Sequence, residues 1–168
     1  GAGDSATDSG AVYGFNLAGG GGDPVASATF ANNAGVDSTI TPAAITAITN
    51  TGSAVVLQAN NDLTLAVASD IVTSAGGAGG ALTMQAGRSV ILNSDITTDN
   101  GDLTITANDP GAQAANRDFG PGGITMAAGT TLNAGTGMIV LTVGAGVAGA
   151  LGGNIMVENI TATNIELQ

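Results

Sequence analysis

The sequence predicts an all-β fold, and three observations carry that prediction. Helix-favouring Glu, Lys, Arg and Gln are scarce, while Thr, Asn and Asp are abundant. Apolar and polar residues alternate over short runs, as in LTMQA (82–86) and LTITA (103–107). Between such runs stand Gly, Asn and Asp clusters of the kind that turn a chain, such as Asp99-Asn100-Gly101-Asp102 and Asn60-Asn61-Asp62.

The elements follow in chain order. The opening GAGDSATDSG has no initiator Met, basic n-region or apolar h-region, and reads as the start of a processed product or excised fragment. AVYGFNL (11–17) places Tyr13, Phe15 and Leu17 on one side of a strand. A GGGGDP run (19–24) follows. Thr41 then caps a helical turn with Pro42 at its first position, Ile45 and Ile48 on one face, and Gly52 at its end. Residues 1–50 therefore read as an irregular N-terminal cap or adapter, and residues 51–168 as a repeat array.

The array emerges when TGSAVVLQANNDLTL (51–65), GGALTMQAGRSVILN (79–93), GPGGITMAAGTTLN (120–133) and GGNIMVENITATNIEL (152–167) are compared. Each starts at Gly, enters an alternating strand, passes a small or polar corner and enters a second strand. Gly101 and Gly137 open two more strands, DLTITA and MIVLTV. The six pre-strand glycines Gly52, Gly80, Gly101, Gly123, Gly137 and Gly153 are 28, 21, 22, 14 and 16 residues apart. The spacings 21 and 22 suit rounds of a parallel β-helix, or β-solenoid, while 28 includes the insertion SAGGAGG; the last two are too short for a three-sided round. Leu82, Met84 and Ala86 share one strand face, as do Leu103, Ile105 and Ala107, so equivalents would stack about 4.8 Å apart into narrow aliphatic ladders. Small side chains and an aromatic content of only 2% suit such an interior. An antiparallel sandwich is the alternative, because Asn100-Gly101 is also a hairpin signal.

Composition excludes several functions. There is no Cys and no His, hence no disulfide framework, thiolate chemistry, His general base or usual zinc set. A net charge of −11, with Arg88 and Arg117 as the only basic side chains, opposes nucleic acid and anionic lipid as partners. The uncharged stretch Met138–Val157 is long enough to span a bilayer and contains the spacing Gly149-x-x-x-Gly153. It reads instead as strand, connector and strand, since no aromatic belt or basic flank bounds it.

The phrases TITPAAITAITNTGSAVVLQANNDLTL (39–65) and DIVTSAGGAGGALTMQAGRSVILNSDITTDNGDLTITA (70–107) resemble repeats of large bacterial exoproteins of the filamentous-haemagglutinin type. The resemblance covers roughly residues 39–143 and rests on repeat style. It implies a right-handed parallel β-helix, export across the bacterial envelope to the cell surface or exterior, and a role in adhesion, biofilm or surface architecture.

No catalytic constellation is evident. Asp95, Asp99 and Asp102 are the densest acidic cluster, yet they fall on a turn that favours Asp for backbone reasons. The chain calls for no cofactor; calcium is the ion its oxygen donors would suit, with Gly19–Gly22 and Asp23, or Asp99 with Asp102, as ligands. Polysaccharide is the second partner class, through Thr and Asn ladders and without a Trp platform. The first is a second copy of the chain. The terminal NITATNIELQ reads as open strand with Ile165 and Leu167 on one face, and Tyr13, Phe15 and Leu17 form its complement on the next copy. The expectation is a non-enzymatic, head-to-tail structural filament, with a glycan-binding adhesin fragment as the alternative.

Overall fold

The computed structural model describes Tyr13 and Gly14, residues 25–32, residue 35 and residues 37–168. Its strands are β1 (Tyr13–Gly14), β2 (Val55–Ala59), β3 (Leu63–Leu65), β4 (Ile71–Val72), β5 (Leu82–Ala86), β6 (Val90–Leu92) and β7 (Ile96–Thr97). They continue with β8 (Leu103–Ala107), β9 (Pro121–Met126), β10 (Thr131–Asn133), β11 (Met138–Val143), β12 (Leu151–Met156), β13 (Asn159–Thr161) and β14 (Asn164–Leu167). All pair in parallel, which removes the antiparallel sandwich.

Three sheets result. Sheet 1 has the order β2-β5-β8-β11-β14, sheet 2 the order β1-β3-β6-β9-β12, and sheet 3 the order β4-β7-β10-β13. From β2 onward the chain visits sheets 1, 2 and 3 in rotation. The alternation in each strand sets the core: Val55, Leu82, Leu103, Ile139 and Ile165 pair in one column, and Leu57, Met84, Ile105, Leu141 and Leu167 in another. All but the last member of each column are buried. Val90, Leu92, Ile96, Ile124 and Leu132 line the other two sides of the same core. The outward positions form ladders as well: Gln58 Nε2 donates to Gln85 Oε1 at 2.9 Å, and Gln85 Nε2 to Asp109 Oδ2 at 2.9 Å.

Of the six glycines read as equivalent round openings, four are so placed and two are not. Gly52, Gly80, Gly101 and Gly137 precede strands of sheet 1, whereas Gly123 and Gly153 lie inside β9 and β12 of sheet 2. The two short spacings, and the 22 residues from Gly101 to Gly123 that suited a round, thus compared different sides of the stack; the true round from β8 to β11 is 36 residues. All three sheets use the same alternation, so the pattern does not say which side a strand occupies. The tight approach of rounds explains Gly80: a Cβ there would lie 1.9 Å from the Ser53 carbonyl oxygen.

One helix, α1 (Pro42–Thr49), lies against the first round. Thr41 Oγ1 accepts the Ala44 N–H at 3.2 Å, Pro42 occupies the first turn, and Ile45 is wholly buried in the core. Thr49 ties the helix down: its hydroxyl meets that of Thr73 at 2.7 Å and its carbonyl accepts the Gly80 N–H at 2.8 Å. Beside sheet 1, the Ala28 carbonyl accepts the Gln58 N–H at 2.9 Å. The stretch Met138–Val157 runs through β11 and β12, and no helix among the described residues is long and apolar enough to cross a membrane.

Candidate functional site

The corner between sheets 1 and 2 changes character along the stack. In the first two rounds it takes three residues, Asn60–Asp62 and Gly87–Ser89; in the next two it carries the longer connectors 108–120 and 144–150. Extra chain on a rigid scaffold is where binding functions are commonly placed.

Both arginines converge on this corner. The Arg88 guanidinium grips Asp62 bidentately through Nε at 2.8 Å and through a short Nη2–Oδ2 contact, and its Nη1 donates to the Phe119 carbonyl at 3.4 Å. Arg117 donates to the carbonyls of Gly87 at 2.6 Å, Asp118 at 2.7 Å and Gly120 at 3.0 Å, and to Asn108 Oδ1 at 3.0 Å. Burial first, then the neighbouring Arg88 charge, pull Arg117 below the ordinary guanidinium value, against the opposing pull of Asp62 and Asp118. Asn61 and Asp118 add a reciprocal pair, Nδ2 to Oδ2 at 2.5 Å and N–H to Oδ1 at 3.4 Å. Gln113 anchors the connector's middle, its N–H on Asn60 Oδ1 and its Nε2 on the Phe30 carbonyl, both at 2.7 Å. The two arginines, isolated in sequence, are therefore staples that fix the connector 108–120. Most of their donors serve that corner.

Two hollows flank the stapled connector. A cleft of about 130 Å³ lies between the connectors, lined by Arg117, Asp118, Phe119, Val147 and Ala150 among others. A trough of about 410 Å³ runs over the outer face of sheet 2 across β6, β9 and β12, lined by Ser89, Ile91, Thr125, Asn154 and Met156 together with Pro121 and three glycines. Phe119 stands 98% exposed, two residues before Pro121. None of Phe119, Ser89, Thr125 and Asn154 stood out in the sequence. The signal for them is the pair of long connectors at one corner, visible only once each strand is assigned to its sheet.

The acidic residues are dispersed in use. Asp95 Oδ1 accepts the Thr131 N–H at 2.8 Å and Asp102 Oδ1 the Met138 N–H at 2.8 Å, while Asp99 Oδ2 accepts those of Ala75 at 2.5 Å and Gly77 at 2.9 Å. Asp62 and Asp70 likewise accept from Ser89 at 3.0 Å and Asp95 at 3.1 Å. Each carboxylate thus bridges to the backbone of an adjacent round. Among the described residues no three acidic side chains are grouped to hold a metal ion.

Of the residues predicted to join subunits, Tyr13 lies at one end of the stack and Ile165 and Leu167 at the other. Tyr13 lies in β1, which pairs with β3 of its own chain, opposite Leu63, and is the outermost strand of sheet 2. Phe15, Leu17 and the proposed ligands Gly19–Gly22 and Asp23 lie outside the described residues. Ile165 and Leu167 sit on β14, the last strand of sheet 1, and are 49% and 55% exposed. Comparison with protein-family models, curated proteins and solved structures finds no match to this chain.

Proposed function

We propose that this chain is a non-enzymatic structural unit of an extracellular bacterial surface protein. It is a right-handed parallel β-helix with an N-terminal cap, and it associates head-to-tail into a fibre or spacer. The right hand follows from the strong general preference of parallel crossovers for that sense. The exported, bacterial setting rests on the resemblance of residues 39–107 to exoprotein repeats and accords with the lack of Cys.

The observation that carries the reading is the unlike pair of ends. One end has α1 and residues 28–30 laid against the first round, with β1 outermost in sheet 2. At the other, β12, β13 and β14 have no further strand beside them among the described residues, and Ile165 and Leu167 continue the core columns into solvent. Strand edges of that kind recruit further strands. Since β1 and β12 are opposite edges of one sheet, β12 of one copy and β1 of the next would extend that sheet in parallel. The apolar end residues would then rest against the helix side of the neighbour, where Ala43 and Ala47 are exposed.

Light scattering after gel filtration, with negative-stain microscopy of the purified chain, tests this. The expected result is rods whose length grows with concentration and shortens in an Ile165→Asp, Leu167→Asp variant. Rods of one subunit length at every concentration would overturn it. The alternative, an adhesin fragment that binds host or matrix glycans, draws its support from the trough on sheet 2.

A further inference from the structure

We propose that the trough over β6, β9 and β12, together with the ring of Phe119, binds a segment of an uncharged polysaccharide. This rests on the glycan-binding alternative and names its site.

The trough is a built feature of the strand pairing. Gly152 stands opposite Gly122 but Ile155 opposite Ile124, so β12 carries one extra residue and bulges. A Cβ on Gly123 would lie 2.6 Å from the Asn154 carbonyl oxygen, so the floor beneath the bulge admits no side chain. Three adjacent strands span about 10 Å along the stack, and the lining runs from Pro121 to Thr125 along β9, about 13 Å, room for a short segment of an extended chain.

The lining chemistry selects the ligand. The side-chain polar atoms of Ser89, Thr125 and Asn154 make no hydrogen bond with the described residues and are free to serve the vicinal hydroxyls of a sugar. Ile91, Pro121 and Met156 supply apolar wall between them. This mixture of apolar surface with a few orienting polar groups is typical of small-ligand sites. Among the described residues no charged side chain lines the trough, and a molecule of net charge −11 repels anionic chains, so the proposed glycan is uncharged.

Phe119, which lines the adjoining cleft, is the nearby aromatic plate that the proposal adds to the trough. Its carbonyl and those of its two neighbours are each held by an arginine, so the backbone is fixed while the ring projects into solvent. Two residues of chain place its backbone within about 7 Å of Pro121 in the trough wall. A backbone already fixed spares the loop-ordering part of the binding cost when a sugar's C–H face stacks on the ring.

Calorimetry and amide-resolved NMR on the whole chain test this, with cellohexaose, chitohexaose, maltohexaose and linear mannan as neutral probes and hyaluronan as the anionic one. At least one neutral probe should bind, shifting the amides of Ser89, Thr125 and Asn154. Phe119→Ala and Asn154→Ala should each weaken binding about tenfold or more with the melting temperature unchanged. No heat and no shifts with any neutral probe at millimolar concentration would overturn both the site and the glycan reading. Binding that survives both substitutions would overturn the site alone. Tighter binding of hyaluronan would overturn the uncharged ligand, and occupation of the trough by an extended apolar peptide but by no sugar would overturn the ligand class.

Discussion

Val55 and Leu57 begin the two columns that Ile165 and Leu167 finish, yet their burial is opposite. The first pair are 2% and 0% exposed beside the helix-bearing round, and the last pair 49% and 55% exposed at the far end. Residue type, strand position and inward direction are alike in the two places. What differs is whether another layer lies beyond. In a stack whose rounds contact chiefly their neighbours, burial belongs to the adjoining layer as much as to the side chain itself.

That contrast breaks most sharply by truncation within a column. Leu103→Ala, in mid-stack, should cost about 3–4 kcal/mol, because the flanking rounds hold the cavity open. Ile165→Ala, in the same column, should cost less than about 1 kcal/mol. Urea unfolding of both variants measures the pair. Equal costs would mean that the far end is covered in solution, and a cost for Ile165→Ala that rises with protein concentration would identify a second copy as the cover.

The second effect concerns how closely rounds approach. Gly80→Ala places a methyl against the Ser53 backbone and should cost about 2–3 kcal/mol. Gly152→Ala on β12 meets nothing within 4 Å and should change stability by about 0.5 kcal/mol or less. Thermal melts of the two variants would show whether tight spacing is confined to the rounds between the ends.

Smaller is the contribution of the corner staple. Arg88→Met removes the bidentate grip on Asp62, whose side chain is only 11% exposed, and should cost about 1–2 kcal/mol. Hydrogen exchange should quicken at the 60–62 and 87–89 corners that Arg88 ties together and at residues 118–120 beside them. Uniform acceleration would mean that Arg88 holds the whole stack and not this corner. Smallest is Thr41→Ala, which deletes the helix cap and should cost about 1 kcal/mol, with exchange rising only over residues 42–50.

Much of the fold was legible in single strands. LTMQA and LTITA announce their inward and outward faces, and Thr41-Pro42 announces the helix start, because alternation and capping are local rules. The helix runs two turns where the residues suggested one, since Ile45 gains a core to bury into. Gly123 and Gly153 misled because glycine marks both a turn and a close approach of strands. The candidate site was the least legible part. Phe119 and Asn154 are ordinary residues in sequence, and they gain meaning only from a connector stapled by Arg88 and Arg117 and from a bulge defined by a partner strand.

By itself the sequence determined that the chain is β-rich, that its strands carry narrow aliphatic ladders, and that Asn60-Asn61-Asp62 and Asp99-Asn100-Gly101-Asp102 are corners. These are consequences of periodicity and turn chemistry, which act over a few residues. Only the tertiary structure decided which sheet each strand joins and that both long connectors fall on one corner. Those depend on contacts between rounds 21 to 36 residues apart, where connectors of unequal length shift the register without altering the local pattern.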